Sequence, residues 1–318
     1  MIEVRGVCYG YGRRGESVSE TKKSAINNLN LEIENGSFVA IVGPSGSGKS
    51  TLSKLLNAIF TPTSGKIIVD GLDSADSKNV YEIRKTVGLV LQNPDNQIIG
   101  DTIEDDVAFA LENMGVERLE MTERVANVLS LVGLQERASD SPKNLSGGQK
   151  QLLAIAGAIV SHPKYLILDE SLSMLDASSK ATILNLLHKL NNENHMSVVL
   201  MTHNIQDAMG CDVVHVMENG TVKISRKPRD VLQILANNRS DVATMVTKVS
   251  LVIKIADELR KTGFDLPGDI VTEEDLVKYL IERHAISKRS LSKGSLSKGS
   301  LSNGALSNGS LSKGALQC

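Results

Sequence analysis

Three short stretches of this chain carry residue types and spacings suited to handling phosphate. Gly43 to Thr51 reads GPSGSGKST. Its glycines let the backbone wrap closely around an anion, its amides point at the charge, and the helix that follows adds a positive dipole end. Gly43, Pro44, Ser45, Gly46, Ser47, Gly48, Lys49, Ser50 and Thr51 are therefore the expected cradle for ATP. Lys49 would reach the β- and γ-phosphates. Ser50 would offer its hydroxyl to Mg²⁺, a small hard cation that prefers oxygen ligands and keeps several waters. ILDE at Ile167 to Glu170 puts Asp169 at the end of a buried strand, where a carboxylate faces the phosphate loop and can hold Mg²⁺ through water. Side chains diverge at a strand end, so Glu170 is expected to point away from Asp169 and to polarise the attacking water as general base. The alternative reading of the two acids is a helix N-cap and a first-turn charge. LSGGQ, Leu145 to Gln149, has no use within its own subunit. The small residues Ser146, Gly147 and Gly148, with Gln149, suit a helix N-terminus pressed against a γ-phosphate held by a second subunit.

These motifs need a scaffold, and the hydrophobic pattern supplies one. From Met1 to about Arg226, short apolar strands alternate with segments of helical period, the signature of a mostly parallel sheet covered by helices. Phe38 to Val42 reads as a buried strand and Lys49 to Ile59 as its helix. Strand Tyr165 to Leu168, helix Ala177 to Leu190 and strand Ser197 to Met201 form a βαβ unit. The stretch from Thr102 to Ser161 is helical in pattern and carries LSGGQ at a helix start. Asp212 to Met217 and Thr221 to Ser225 flank Glu218-Asn219-Gly220, a hairpin signal. Beyond Lys227-Pro228, amphipathic segments at Leu251 to Lys261 and Glu273 to Glu282, separated by Leu266-Pro267-Gly268, predict a small helical domain. From about Ser290 the chain repeats LSKGS-like units of five residues, which match neither helix nor strand period. A glycine in every unit makes ordering costly, and the tail reads as disordered.

Composition excludes several classes. The 318 residues carry a net charge of -2, which argues against a nucleic-acid binder. The longest apolar runs, such as FVAIV at Phe38, have strand length, well short of the about twenty residues of a membrane-spanning helix, and MIEVRGV lacks the apolar region of a signal peptide. Cys8, Cys211 and Cys318 show no disulfide or zinc spacing, and Cys318 is not placed for prenylation.

Taken in order, GPSGSGKST, Gln92, LSGGQ, LILDE, SMLD at Ser173 to Asp176 and His203 in MTHN resemble the nucleotide-binding subunits of ATP-binding-cassette (ABC) transporters. The resemblance implies that Gln92 senses Mg²⁺ and water and couples them to a membrane partner, that His203 contacts the γ-phosphate, and that Asp176 lies at the subunit interface. It also places Tyr11 like the aromatic that stacks on adenine, with Tyr9 as the neighbouring alternative. GLVLQNPDNQIIGDTIEDDVAFALENMGV at Gly88 to Val116 narrows the resemblance to energy-coupling factor (ECF) transporters and the first of their two ATPase subunits. An importer of another type, such as a cobalt or nickel system, is the nearest alternative, and a soluble ABC ATPase a remote one.

The ECF resemblance implies a heterodimer with a second homologous ATPase, a transmembrane scaffold subunit, a membrane substrate-binding subunit, and a peripheral position on the cytoplasmic face of the membrane. Glu104, Asp105 and Asp106 are candidate partners for basic groups of the scaffold, or simply helix N-terminal charges. Leu152, Ser171-Leu172 and Ala177 depart from the family pattern without removing a phosphate or metal ligand. The expected fold is α/β: an ABC ATPase domain over 1–230 with a helical subdomain at about 102–161, a helical C-terminal domain over 231–286, and the repeat tail over 287–318.

Overall fold

Strand β3 (Phe38–Val42) is buried at every residue, because it lies mid-sheet with a layer on each face. The computed structural model describes residues 1–12 and 24–237, and parts of 252–281. The repeat tail lies outside the described residues. Before β3 come β1 (Ile2–Tyr9) and β2 (Ile26–Ile33); after it come α1 (Lys49–Leu56), β4 (Ser64–Val69), β5 (Leu72–Asp73), α2 (Val80–Thr86) and β6 (Val87–Val90). Three helices follow, α3 (Ile103–Asn113), α4 (Arg118–Val132) and α5 (Gly147–Ile159), then β7 (Tyr165–Asp169), α6 (Ala177–Asn194) and β8 (Ser197–Thr202). β9 (Val213–Glu218), β10 (Thr221–Arg226) and α7 (Pro228–Asn237) complete the main body.

The expected parallel sheet is present in the order β10-β9-β3-β8-β7-β6, with β10 antiparallel at one edge. A second, antiparallel sheet, β2-β1-β4-β5, was not legible in the sequence. Register shifts between Val4 and Val7 and between Val7 and Tyr9 break the clean alternation that would mark β1 as half-buried. Opposite faces of the parallel sheet feed two cores. Phe38, Ala40 and Val42 face Leu111, Leu129, Leu153 and Leu187 of the helical layer. Val39 and Ile41 face Leu52, Leu55 and Leu56 of α1 together with Ile2, Ile26 and Leu29 of the antiparallel sheet.

Helix α1 stops three residues short of the expected Ile59, where Ala58 takes φ +54° and the Ile59 amide returns to the Lys54 carbonyl. Helix α7 lies at the start of the region expected to be helical, and its Val231, Leu232 and Leu235 bury into the main core. Pro228 opens α7, and proline is tolerated in a first helical turn. Farther along, Val252, Ala256, Leu266 and Ile270 form a small cluster of their own, and Arg229 pairs with Asp275 at 3.1 Å. No helix among the described residues is long and apolar enough to cross a membrane.

Two polar contacts brace the sheets. Asp70, after β4, accepts from Lys164 Nζ (2.8 Å), Tyr165 Oη (2.8 Å) and the Met1 ammonium (2.6 Å). Burial pushes its carboxyl up, but these bonds outweigh it and hold the pKa at about 2. His215 in β9, 7% exposed, has Nδ1 2.9 Å from Ser225 Oγ, and burial pushes its pKa down to about 4. The unfolded chain therefore takes up the His215 proton first, so stability is expected to fall as the pH drops from 6.5 towards 4. The loss attributable to this residue is about 3 kcal/mol. Asp70 adds a separate loss at lower pH, from 3.8 towards 2. Urea unfolding at stepped pH should show both declines, and His215→Val should remove only the first.

Candidate active site

Strands β3, β6, β7 and β8 run parallel, so the segments leaving them emerge on one edge, where open α/β sheets bind ligands. The phosphate loop joins β3 to α1 on that edge. A Cβ on Gly43 would lie 2.3 Å from the Met217 carbonyl oxygen, and one on Gly48, at φ +106°, 2.5 Å from that of Ala25. Only glycine fits either place. The Gly43 amide donates to the Thr202 carbonyl and the Gly220 amide to that of Ser47. Ser45 and Gly46 form the exposed crest, and Pro44 is half-buried. Ser47 Oγ is buried without a partner, an orphaned polar atom in the loop.

Lys49 is 3% exposed, and its ammonium meets the Gly43 carbonyl (2.7 Å), the Pro44 carbonyl (3.0 Å) and Glu170 Oε1 (2.9 Å). Ser50 Oγ donates to Asp169 Oδ1 at 2.8 Å, and Ser53 Oγ to Oδ2 at 3.1 Å. Burial raises the Asp169 pKa; the two hydroxyls pull it down, Glu170 pushes it up again, and Lys54 lowers it. An under-compensated carboxylate beside a hydroxyl is an oxygen donor set that fits a hard divalent cation.

Glu170 has different partners from Asp169. The strand ends at Asp169, Glu170 takes a left-handed φ of +49°, and alternation no longer applies. Its carboxylate turns back to the loop between Lys49 and His203, whose Nδ1 is 3.5 Å from Oε2. His203 is half exposed just after β8. Tyr11 Oη bonds Thr51 Oγ1 at 2.8 Å, and its ring is 55% exposed. Tyr9 instead stacks on Phe60 at 5.1 Å and is half-buried, which leaves Tyr11 as the face open to a ligand. Gln92 is exposed two residues beyond β6.

The LSGGQ stretch forms a second, separate group. Ser146 caps α5 in a reciprocal box with Gln149: the Gln149 amide donates to Ser146 Oγ (3.3 Å), and the Ser146 amide to Gln149 Oε1 (3.0 Å). Gly147 faces open space, while a Cβ on Gly148 would meet Ser179 Oγ at 2.5 Å. Asp176 caps α6 through the Ser178 and Ser179 amides and accepts from Ser179 Oγ at 2.7 Å; the Ser179 bonds hold its carboxyl below the usual range. Asp176 and Gly148 are therefore neighbours through Ser179. Among the described residues no hydrogen bond or ion pair joins LSGGQ to the phosphate loop.

Residues 26–173 match the ABC transporter family. The chain is 40% identical over 284 residues to the energy-coupling factor transporter ATP-binding protein EcfA1 of Symbiobacterium thermophilum, covering 89% of this chain and 98% of that protein. The EcfA1 of Clostridioides difficile is 39% identical over 285 residues, with coverage of 89% and 99%. The chain belongs to the ABC transporter family, among its energy-coupling factor ATP-binding proteins. Among solved structures, cbiO1 of Clostridium perfringens, described as part of the ABC transporter complex cbiONQ, has a TM-score of 0.67 at 32% identity, covering 82% of this chain and 98% of that one. A dimeric ATP-binding cassette, MJ0796, in a post-hydrolysis state bound to ADP and Pi, has a TM-score of 0.65 at 31% identity, covering 72% and 99%. This ECF-type chain is accordingly an ABC ATPase.

Several supporting residues of the ECF-type chain escaped the sequence reading. Ser53 holds the second Asp169 oxygen, a role that its place one turn after Ser50 could have suggested. Asp105 and Asp106 were named in advance, and here Asp106 Oδ1 accepts the Ile99 and Gly100 amides and Asp105 is bonded to Thr102, in keeping with the helix-start alternative. Arg137 had no local signal at all. Its guanidinium reaches Asp140 Oδ2 (2.8 Å), Gln149 Oε1 (3.2 Å) and the Asn144 carbonyl (3.3 Å), a planar fork bracing the LSGGQ cap. Arg137→Ala is expected to lower the unfolding free energy by about 1–2 kcal/mol, read by urea denaturation. Arg137→Lys, which lacks the fork, should recover only part of it.

Proposed function

We propose that this chain is the ATP-hydrolysing subunit of an ECF importer, coupling ATP binding and hydrolysis to uptake of a vitamin or other micronutrient by membrane partners. The observation that carries this reading is the convergence of Lys49, Asp169, Glu170 and His203 at one sheet edge, while LSGGQ and Asp176 form a distinct group with no bond to it. Each chain then holds two halves of different reaction centres. Two chains closing head to tail complete both, with Ser146, Gly147, Gly148 and Gln149 serving the partner's ATP and Asp176 at the interface.

Within one half-site, the Gly43 to Thr51 loop wraps the phosphates and Tyr11 stacks on adenine. Ser50 and Asp169, with Gln92, hold Mg²⁺, which when bound neutralises phosphate charge. Phosphate oxygens compete with Glu170 for the Lys49 ammonium, because a charge-assisted bond forms equally well to either anion. The freed Glu170 carboxylate accepts the proton of the attacking water, and His203 donates to the γ-phosphate. Closure does useful work because ATP binds the closed pair better than the open one.

The partners that fit are a second homologous ATPase in a heterodimer, a transmembrane scaffold and a membrane substrate-binding subunit, with this chain peripheral on the cytoplasmic face. The likeness to cbiO1 supports an importer complex of another type as second reading; the partners that co-purify distinguish the two. Glu170→Gln is expected to lower kcat by roughly 10²- to 10⁴-fold while ATP binding and ATP-driven pairing persist. Single-turnover hydrolysis reads the first and cosedimentation with the second ATPase the others; equal rates for the two proteins would overturn the assignment of Glu170.

A further inference from the structure

One charged contact joins the loop after β6 to the LSGGQ helix. Lys150, in the first turn of α5, donates its backbone amide to the Ser146 carbonyl at 2.8 Å and its Nζ to Asp95 Oδ1 at 2.7 Å. Asp95 lies in a short 3-10 turn, Pro94–Asn96, just past Gln92. That turn is firmly tied. Asn93 Oδ1 accepts the Asp95 amide (3.0 Å), and the Ile98 amide returns to the Pro94 carbonyl (3.0 Å). The Gln97 side chain spans the Leu91 amide (3.0 Å) and the Leu89 carbonyl (3.3 Å), which fixes the turn to the end of β6. Gln92 thus sits at one end of a braced loop whose other end grips the first turn of α5.

We propose that Asp95 and Lys150 are positioning residues, a strut that holds the Gln92 loop and the LSGGQ N-terminus in one register. A shift of the loop is then passed to the face presented to the second subunit's ATP. The inference rests on the assignment of LSGGQ to that nucleotide. Asp95 is 60% exposed and Lys150 23%, and exposed pairs contribute little to folding. Helix α5 packs on α3, α4 and β6, and also on the Pro94–Asn96 turn itself, so the fold does not depend on the pair. Loss of the pair removes the charged contact between the turn and α5 while the fold stands. Lysine makes a point contact without the two-pronged geometry of arginine, so the charges can be exchanged across the gap.

The test uses the complex assembled with its native partners and compares Asp95→Lys, Lys150→Asp and the double exchange. Each single variant is expected to lower kcat for ATP hydrolysis roughly two- to five-fold, the range open to an exposed pair. The thermal midpoint and the binding of a fluorescent ATP analogue should match wild type. The double exchange should return to within about twofold of wild type, a recovery that a merely local structural role would not give. Single variants at the wild-type rate, or a double variant whose losses simply multiply, would overturn the strut. ATP-driven association of wild-type subunits is measured alongside. Its absence would overturn the composite-site reading and the strut with it, whereas intact association with unimpaired single variants overturns the strut alone.

Discussion

The nucleotide edge depends on how closely the Gly43 to Gly48 loop approaches backbone from both sheets. Gly43 lies against the Met217 carbonyl of β9, in the parallel sheet, and Gly48 against the Ala25 carbonyl at the start of β2, in the antiparallel one. The loop is the wedge where the two sheets meet. A single Cβ at either position would push the sheets apart or lift the loop. In both cases Lys49 would lose the Gly43 and Pro44 carbonyls that aim its ammonium, and Ser50 would move off Asp169. Backbone contact thus sets the positions on which the charge arrangement rests.

Two adjacent acids meet that arrangement in different ways. Asp169 is buried and bonded by two hydroxyls, with Lys54 adding a further lowering influence, yet burial wins and leaves its proton affinity raised. Glu170 is held by an ammonium and lies near an imidazole. The left-handed turn at Glu170 makes the difference, because it places a second carboxylate at the loop where an ordinary strand end would carry it away. A strained backbone of this kind is retained where the surroundings fix it, and here the Glu170 amide is bonded to the Met201 carbonyl at 2.9 Å.

What could be read in advance was what repeats locally. FVAIV followed by GPSGSGKST gives strand, loop and helix within a few residues, and the Asn219-Gly220 hairpin is equally local. The antiparallel sheet depends on pairing between Ile2 and Val69 and between Ile2 and Ile33, partners far apart in the chain and interrupted by bulges. The same limit applies at the site. Ser50, Asp169 and Lys49 announce their types, yet the bonds from Arg137 to Gln149 and from Lys150 to Asp95 join segments with no shared periodicity. The left-handed turn at Glu170 was beyond reach for a related reason: the period of a strand says nothing about the residue just past its end.

The case for a composite site is strongest at the start of α5, where the capping chemistry can be followed amide by amide. An α-helix opens with amides that have no partner inside it. The Lys150 amide closes the first intrahelical bond, to Ser146, and the Gln149 amide is taken by the Ser146 hydroxyl. Among the described residues, the Gly147 and Gly148 amides have no partner. Both belong to glycines; the space beside Gly147 is open, while Gly148 has the Ser179 side chain against it. The cap therefore spends the hydroxyl inside the chain and leaves two unpaired donors at the positive end of a helix dipole. Among the described residues neither the phosphate loop nor its lysine is bonded to α5, which is in keeping with the proposal that the anion comes from elsewhere. A phosphate carried by a second subunit meets that condition.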